Sequence, residues 1–351
     1  MVSDIDQYFK SYEDLEIHEL MLRDKPRNEA YRHAILSNRD LFEDKLVLDV
    51  GSGTGILSCL AAQAGARKVF AVEASNLAEL SRKIIKENDF ENVVEVFNCR
   101  IEDFNLPNKV EKVDVIISEF MGFYLLHEGM LDSVLLARDR FLTDGGSLFP
   151  DRAVIYVAPC LLSCLFKDWD SVSGIKMRTF AEELRRSKQT KPEIVALKSD
   201  DLLATEAVMT FLDLNDLTSK DLNMIEFNEV MVANKIGSFE GVCVWFDVLF
   251  PSSGEEVVLS TGPDAEPTHW KQTVVPMPEY NMTVEVGTPI AFKLTLQRHP
   301  QHFRRYNIFV EILDPFDEAV EHPVPCQCGM TKCILTKAHL ESIEEGSSLA
   351  A

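Results

Sequence analysis

The sequence predicts an α/β fold: a Rossmann-like parallel sheet over the first 150 residues, followed by an antiparallel β-barrel domain with a helical arm. Three observations support this prediction. Short apolar runs alternate with helical segments before residue 150, which is typical of parallel sheets. A glycine-rich loop follows the first apolar run. After Pro150 the apolar residues recur at every second position. A chain of 351 residues, 46% of them hydrophobic, is long enough for two cores.

The elements before Pro150 are predicted in order along the chain. Residues 1–37 have helical spacing, in two helices over 5–14 and 17–36. Residues 38–150 form the first domain, in which short apolar runs bounded by turn residues are typical of buried strands. The predicted strands are 45–50, 68–73, 93–97 and 113–118, and the predicted helices between them are 56–64 and 77–88.

Residues 151–351 are predicted to form the second domain, in which short strands are separated by Pro, Gly, Asn and Asp. A segment at about 166–198 interrupts this pattern and carries Trp169 and a charged run over 182–188. This segment is either a solvated helix or an arm that docks on a second subunit. The predicted strands are 153–157, 242–249, 257–260, 282–286, 290–296 and 306–313.

The composition limits the partners that the protein can have. A net charge of -22 disfavours nucleic acid, which requires a basic surface. An acidic field attracts cationic ligands such as Lys- or Arg-rich proteins, although solubility alone could also explain the charge. The sequence contains no apolar run of about eighteen residues and no secretory leader, so we expect no membrane contact. Eight dispersed cysteines are typical of reduced thiols, which favours the cytoplasm or nucleus.

The first chemical motif is the loop that contains Asp49, Gly51, Gly53 and Gly55. Glycines at the carboxyl end of a parallel strand let the backbone turn sharply and approach a ligand closely. A dinucleotide fold would place its third glycine one position later, where Ile56 stands. The loop therefore favours a ligand with an ammonium head and no phosphate, with Asp49 placed near that head.

Two carboxylates follow the next two strands. Glu73 ends the second strand about twenty residues after the glycines, where an acid can accept hydrogen bonds from both ribose hydroxyls. Glu102 follows the third strand and is placed for the amino group of an adenine. Either residue alone could be a surface charge, but in this order with the loop they predict a nucleoside site.

The loop after the fourth strand carries Glu119 and Glu128 at its two ends. A hairpin through Met121 and Gly122 would bring both acids to the carboxyl edge of the sheet. Two adjacent carboxylates repel each other unless a cation lies between them, and a guanidinium matches their geometry. The alternative is that one acid caps a helix and the other is solvated.

The sequence resembles the protein arginine N-methyltransferases, within them the type I class, from about residue 7 to 313. Four separated segments carry the resemblance: an N-terminal aromatic motif ending at Tyr12, the glycine loop, the double-glutamate loop, and Thr268-His269-Trp270. Such enzymes use S-adenosyl-L-methionine to form mono- and asymmetric dimethylarginine in proteins, and they form homodimers through the arm. Possible substrates are histones or Arg-Gly-rich proteins.

The resemblance also implies roles for individual residues. Residues 1–37 would be a helical cap over the cofactor, and Arg27 would pair with the cofactor carboxylate. Glu119 and Glu128 would clamp the substrate guanidinium, and Asp24 with His269 would form a hydrogen-bonded pair that serves as a proton route. The full set of implied cofactor contacts is Tyr12, His18, Met21, Arg27, Asp49, Gly51, Gly53, Glu73, Ile101, Glu102 and Met130.

The sequence departs from the family at a few positions. Phe120 replaces a common tryptophan, and Ala74 stands where relatives often have cysteine. The segment after Pro315 does not match the family, and its histidine and cysteines have a spacing that fits no common zinc ligand set, so we expect no metal. Two alternative functions remain: a family member with weak catalysis that acts as a regulatory dimer subunit, and a nicotinamide-dependent oxidoreductase.

Overall fold

The computed structural model describes residues 14–107, 109–166, 169, 171–188, 191–252, 254, 256–277 and 282–348. The first elements are helices α1 (Leu15–Arg23), α2 (Lys25–Ser37) and α3 (Arg39–Phe42). The single helix predicted over 17–36 was wrong, because the chain is extended at Asp24, which caps α2 by accepting a hydrogen bond from the Arg27 backbone N–H at 3.1 Å. Pro26 in the first turn of α2 also favours a new start there.

A five-stranded parallel sheet follows, in the order β3-β2-β1-β4-β5. Its central strand pairs with one neighbour from Leu46 to Val50 and with the other from Val47 to Asp49, so the carboxyl ends of three strands meet at one edge. The elements are β1 (Leu46–Val50), α4 (Ile56–Gln63), β2 (Lys68–Glu73), α5 (Leu77–Glu87), β3 (Val94–Asn98), β4 (Val113–Ile117), α6 (Leu131–Phe141) and β5 (Leu142–Phe149).

The second part of the chain is antiparallel, which confirms the prediction of a Rossmann-like sheet followed by an antiparallel domain. One sheet has the order β7-β13-β11-β6-β8 with β12 paired to β11, a second has the order β16-β15-β9, and a third pairs β10 with β14. The strands are β6 (Arg152–Cys160), β7 (Glu193–Val195), β8 (Ala207–Asp213), β9 (Met224–Val232), β10 (Gly237–Phe239), β11 (Gly241–Phe250), β12 (Val257–Ser260), β13 (Gln272–Pro276), β14 (Met282–Val284), β15 (Pro289–Arg298) and β16 (Tyr306–Leu313).

Helix α7 (Ser163–Phe166) leads into the interrupting segment, which contains helix α8 (Arg178–Lys188). Trp169 contacts Phe180 on α8, with ring centroids 4.9 Å apart. Three apolar side chains of this segment are nevertheless exposed: Val172 at 41%, Ile175 at 60% and Phe180 at 51%. The segment therefore presents an apolar surface to solvent.

Helix α2 joins the two parts of the molecule through one continuous core. The Tyr31 ring packs edge-on against Phe250 of β11 at 4.8 Å, while its hydroxyl donates to the Ser118 carbonyl after β4. A last helix, α9 (Thr331–Ser348), follows the barrel. No helix among the described residues is long and apolar enough to cross a membrane.

Candidate active site

The glycine loop after β1 forms the floor of a cavity of about 370 Å³. Gly51, Gly53 and Gly55 all have positive φ, at 73°, 53° and 85°, a backbone conformation that residues with a side chain rarely adopt. A Cβ on Gly51 would meet only the flexible end of the Met130 side chain, so the positive φ is what favours glycine there. The loop therefore has its backbone directly at the cavity, as the sequence predicts.

Glu73 at the end of β2 and Glu102 in the loop after β3 line the same cavity. The Glu73 carboxylate accepts hydrogen bonds from the Gly53 N–H at 2.8 Å and the Ser75 N–H at 2.7 Å. The Glu102 carboxylate accepts from the Ser133 hydroxyl at 2.9 Å. Neutral donors thus hold both carboxylates in fixed orientations. In these orientations the carboxylates can also accept hydrogen bonds from a nucleoside.

Asp49 does not line this cavity, which contradicts its predicted contact with the cofactor head. Its side chain is completely buried, and one carboxylate oxygen accepts a hydrogen bond from the Ser58 hydroxyl of α4 at 2.6 Å. Burial raises the pKa of Asp49 to about 7, and the charge of Glu73 adds to this effect while the Ser58 bond opposes it. Asp49 therefore joins β1 to α4 and supports the loop from within.

The N-terminal helices close one side of the cavity. His18 and Met21 of α1 are wall residues, and the His18 ring lies 3.7 Å from the position of a Cβ on Gly53. Arg27 of α2 is also a wall residue, and its Nη2 and Nε bond to the Glu119 Oε2 at 2.7 and 3.0 Å. The predicted partner of Arg27 was the cofactor carboxylate, whereas the structure pairs it with a glutamate of the double-acid loop.

The double-glutamate loop turns back on itself, as predicted. Gly122 and Leu125 exchange backbone hydrogen bonds of 3.0 Å, and both Glu119 and Glu128 line the cavity. Glu128 has a φ of 77°, and Arg304 holds its backbone in place. The Glu128 N–H donates to the Arg304 carbonyl and the Arg304 guanidinium donates to the Glu128 carbonyl, both at 2.9 Å. Two carboxylates from one hairpin thus face the space beside the glycine loop.

Asp24 and His269 form the predicted pair although 245 positions separate them. The Asp24 Oδ2 accepts from the His269 backbone N–H at 2.8 Å and lies 2.6 Å from its Nδ1. Burial alone would raise the pKa of Asp24, but the hydrogen bonds from His269 outweigh it and hold that pKa below its usual value. His269 lines the cavity, and Asp24 contacts it from outside the lining.

Sequence reasoning identified twelve of the residues that line the cavity. The predicted residues that line it are His18, Met21, Arg27, Gly51, Gly53, Glu73, Ile101, Glu102, Glu119, Glu128, Met130 and His269. Tyr12 lies outside the described residues. Arg304 and Ser133, which position Glu128 and Glu102, were missed because neither belongs to a local motif.

Comparison with known proteins decides the family. A model of the arginine methyltransferase oligomerization subdomain matches residues 151–312, and a methyltransferase domain model matches residues 47–146. A probable protein arginine N-methyltransferase 1.2 of Arabidopsis thaliana is 36% identical over 312 residues, which cover 88% of this chain and 83% of that protein. The chain belongs to the protein arginine N-methyltransferase family.

Other members of the family are similarly close. Protein arginine N-methyltransferase 6 of Danio rerio is 42% identical over 275 residues, covering 76% of this chain and 78% of that protein. The structure of a Trypanosoma brucei PRMT1 enzyme-prozyme heterotetrameric complex with AdoHcy has a TM-score of 0.76 and 35% identity, and the match covers 89% of this chain and 98% of that one. Family members of this kind use S-adenosyl-L-methionine as the methyl donor, and the matched subdomain is one for oligomerization. The family assignment leaves no support for a nicotinamide-dependent oxidoreductase.

Proposed function

We propose that the chain methylates arginine side chains of other proteins, giving mono- and asymmetric dimethylarginine. The observation that carries this proposal is the convergence of Glu119 and Glu128 on the cavity that also holds the glycine loop. The division into residues 1–37, 38–150 and 151–351 is part of the proposal, supported by the change of sheet between β5 and β6.

The residues present fit S-adenosyl-L-methionine. Glu73 and Glu102 offer carboxylate acceptors for ribose hydroxyls and an adenine amino group, and Arg27 offers a cation for the amino-acid carboxylate. The glycine backbone permits close approach, and the cavity of about 370 Å³ lies within the usual range for ligand sites. The bound cofactor would supply an electrophilic methyl group on a sulfonium.

Two pairs of side chains would act on the substrate. Glu119 and Glu128 would hold the guanidinium and draw its positive charge to one side, which leaves electron density on the nitrogen that is methylated. A guanidinium is a poor nucleophile in water, so this orientation supplies much of the rate. Asp24 holds the His269 Nδ1, and the opposite ring nitrogen would accept the departing proton.

The proposal also covers the substrate class, the oligomeric state and the cellular compartment. The net charge of -22 favours cationic substrates such as histones or Arg-Gly-rich proteins. The oligomerization subdomain and the exposed apolar arm support a homodimer. Eight free cysteines are in keeping with a cytoplasmic or nuclear setting.

The substitution Glu128→Gln tests the function, with Glu311→Gln on the outer strand β16 as control. We expect transfer of labelled methyl from S-adenosyl-L-methionine to an Arg-Gly-rich peptide to fall by at least about 100-fold, with S-adenosylhomocysteine affinity unchanged. Mass spectrometry of the peptide would identify the methylated form. A Glu128→Gln protein that keeps about a tenth of its turnover would refute the clamp. Tight cofactor binding by the wild-type chain without turnover would instead support a regulatory dimer subunit.

A further inference from the structure

A second cluster of chemical groups lies outside the active site, beyond the last barrel strand. After β16 the chain returns to the barrel, where the Val230 N–H of β9 donates to the Glu321 carbonyl at 2.9 Å. The next residues bring together His322, Cys326, Cys328 and Cys333, the last at the start of α9. The sequence spacing gave no reason to expect this, because the residues meet only when the segment turns back.

The four side chains surround one point. The Sγ atoms of Cys326, Cys328 and Cys333 lie 3.5, 3.4 and 3.3 Å from the His322 Nδ1, and all four ligand atoms lie within 4.8 Å of one another. Bonds of about 2.3 Å to sulfur and about 2.05 Å to nitrogen separate such atoms by about 3.6 Å around a tetrahedral Zn²⁺. The observed nitrogen–sulfur distances are therefore close to those of a three-cysteine, one-histidine zinc site.

Neighbouring groups orient and bury these four side chains in a way that suits metal ligands. The His322 Nε2 lies 3.2 Å from the Pro315 carbonyl, and donation by Nε2–H leaves the Nδ1 lone pair directed at the three sulfurs. The Cys328 backbone N–H donates to the Cys326 Sγ at 3.4 Å, a bond that stabilises a thiolate. The three cysteines are at most 4% exposed, and Val232 of β9 packs against them.

We propose that His322, Cys326, Cys328 and Cys333 bind one structural Zn²⁺ that fastens the C-terminal segment and α9 to strand β9. Three thiol protons would pass to solvent as three Zn–S bonds form, while the histidine binds through its neutral ring. Three thiolates and one Zn²⁺ leave a single negative charge, and Lys332 lies near enough to interact with His322 and Cys328. A full set of four protein ligands leaves no open position, which indicates a structural site.

Metal analysis of the full chain tests this proposal. The wild-type protein, expressed with zinc and passed through metal-free buffer, should contain about one zinc per chain. The double variant Cys326→Ser with Cys328→Ser should lose that zinc. The matched control, Cys99→Ser with Cys164→Ser, replaces two cysteines outside the cluster and should keep it.

Cobalt substitution keeps the test valid if the double variant fails to fold. Wild-type protein reconstituted with Co²⁺ should show thiolate charge-transfer bands and the visible absorption of tetrahedral coordination. Removal of the metal should increase tryptic cleavage at Lys332 and Lys337 while leaving cleavage in the parallel-sheet domain unchanged. Wild-type protein with reduced thiols and no stoichiometric zinc would overturn the proposal. So would a disulfide within the cluster, detected as two missing thiols under denaturing conditions.

Discussion

Asp24 contacts two different parts of the molecule through one carboxylate. Its Oδ1 caps α2, and its Oδ2 holds the backbone and the ring of His269. Asparagine can keep the cap, but its amide NH₂ would face two donors of His269. We expect Asp24→Asn to lower kcat by about 100-fold or more and to lower the melting temperature, because the two His269 donors lose their acceptor, while S-adenosylhomocysteine affinity stays near wild type. The control is Asp14→Asn, which removes a charge at the cap of α1.

The measurement that checks this prediction is steady-state methyl transfer together with calorimetric binding of S-adenosylhomocysteine. A fall in affinity equal to the fall in kcat would show that Asp24 supports the cofactor site through Arg27 and not the chemistry through His269.

Asp49 gives a prediction about pH. Its pKa is about 7 in the folded protein and about 3.9 in an unfolded chain, so the folded state disfavours its ionised form. Below pH 4 the residue is protonated in both the folded and the unfolded state, so its ionisation does not change the free energy of unfolding. As the pH rises from about 4 to 7 the unfolded state alone releases the proton, and this residue's contribution destabilises the fold progressively.

Asp49→Asn should therefore remove this pH dependence. The stability of the variant relative to wild type should increase between pH 5 and pH 8, measured by urea unfolding at each pH. Glu91→Gln, at an exposed position, should show no such trend. An Asp49→Asn difference that is the same at both pH values would place the pKa of Asp49 near its ordinary value.

The sequence predicted site residues best where one residue type was required by local backbone or chemistry. The glycine loop and Glu73 follow from strand ends, and both line the cavity. The position of Asp49 was wrong because burial is set by packing against α4, which a motif does not contain. The partner of Arg27 depends on where α2 lies against the double-glutamate loop, 92 residues away.

The double-glutamate hairpin depends on one glycine. A Cβ at Gly122 would lie 2.1 Å from the His127 carbonyl oxygen, a backbone atom that cannot rotate away. Gly122→Ala should therefore displace the hairpin and Glu128 with it. We expect methyl transfer to fall by at least about 100-fold with little change in cofactor affinity. Gly254→Ala, where a Cβ meets nothing within 4 Å, should behave as wild type. Normal turnover in Gly122→Ala would show that the hairpin tolerates the shift.

Elements with strong periodicity were predicted well, and elements with mixed signals were not. Strands β1 and β2 are apolar runs and lie where predicted. Strand β5 was missed because Gly145 and Gly146 weaken a strand pattern. A Cβ at Gly146 would lie 2.8 Å from the Asp114 carbonyl oxygen of β4, so the close approach of the two strands favours glycine at this position. Its pairing with β4 compensates for the low propensity, and such pairing is invisible along the chain.

At the scale of the whole molecule, the exposed arm predicts a dimer. Ile175→Asp with Phe180→Asp places two charges on its apolar surface and should convert a dimer of twice 39.7 kDa into a 39.7 kDa monomer, measured by light scattering. Methyl transfer should fall with the mass, because arm docking would brace the cofactor domain. The control is Phe211→Asp with Phe309→Asp, two equally exposed apolar residues on barrel strands. A wild-type monomer with full activity would exclude this role for the arm.

The ion pair between Arg27 and Glu119 has a kinetic consequence. While Arg27 holds Glu119, the charge that should attract a substrate is already neutralised, and both side chains are less than a tenth exposed. A cofactor carboxylate that engages Arg27 would weaken that pair and restore the charge of Glu119 to the pocket. We therefore expect an ordered mechanism, with S-adenosyl-L-methionine entering before the arginine peptide. Peptide affinity measured with and without S-adenosylhomocysteine should differ by at least about tenfold, and equal affinities would indicate random entry.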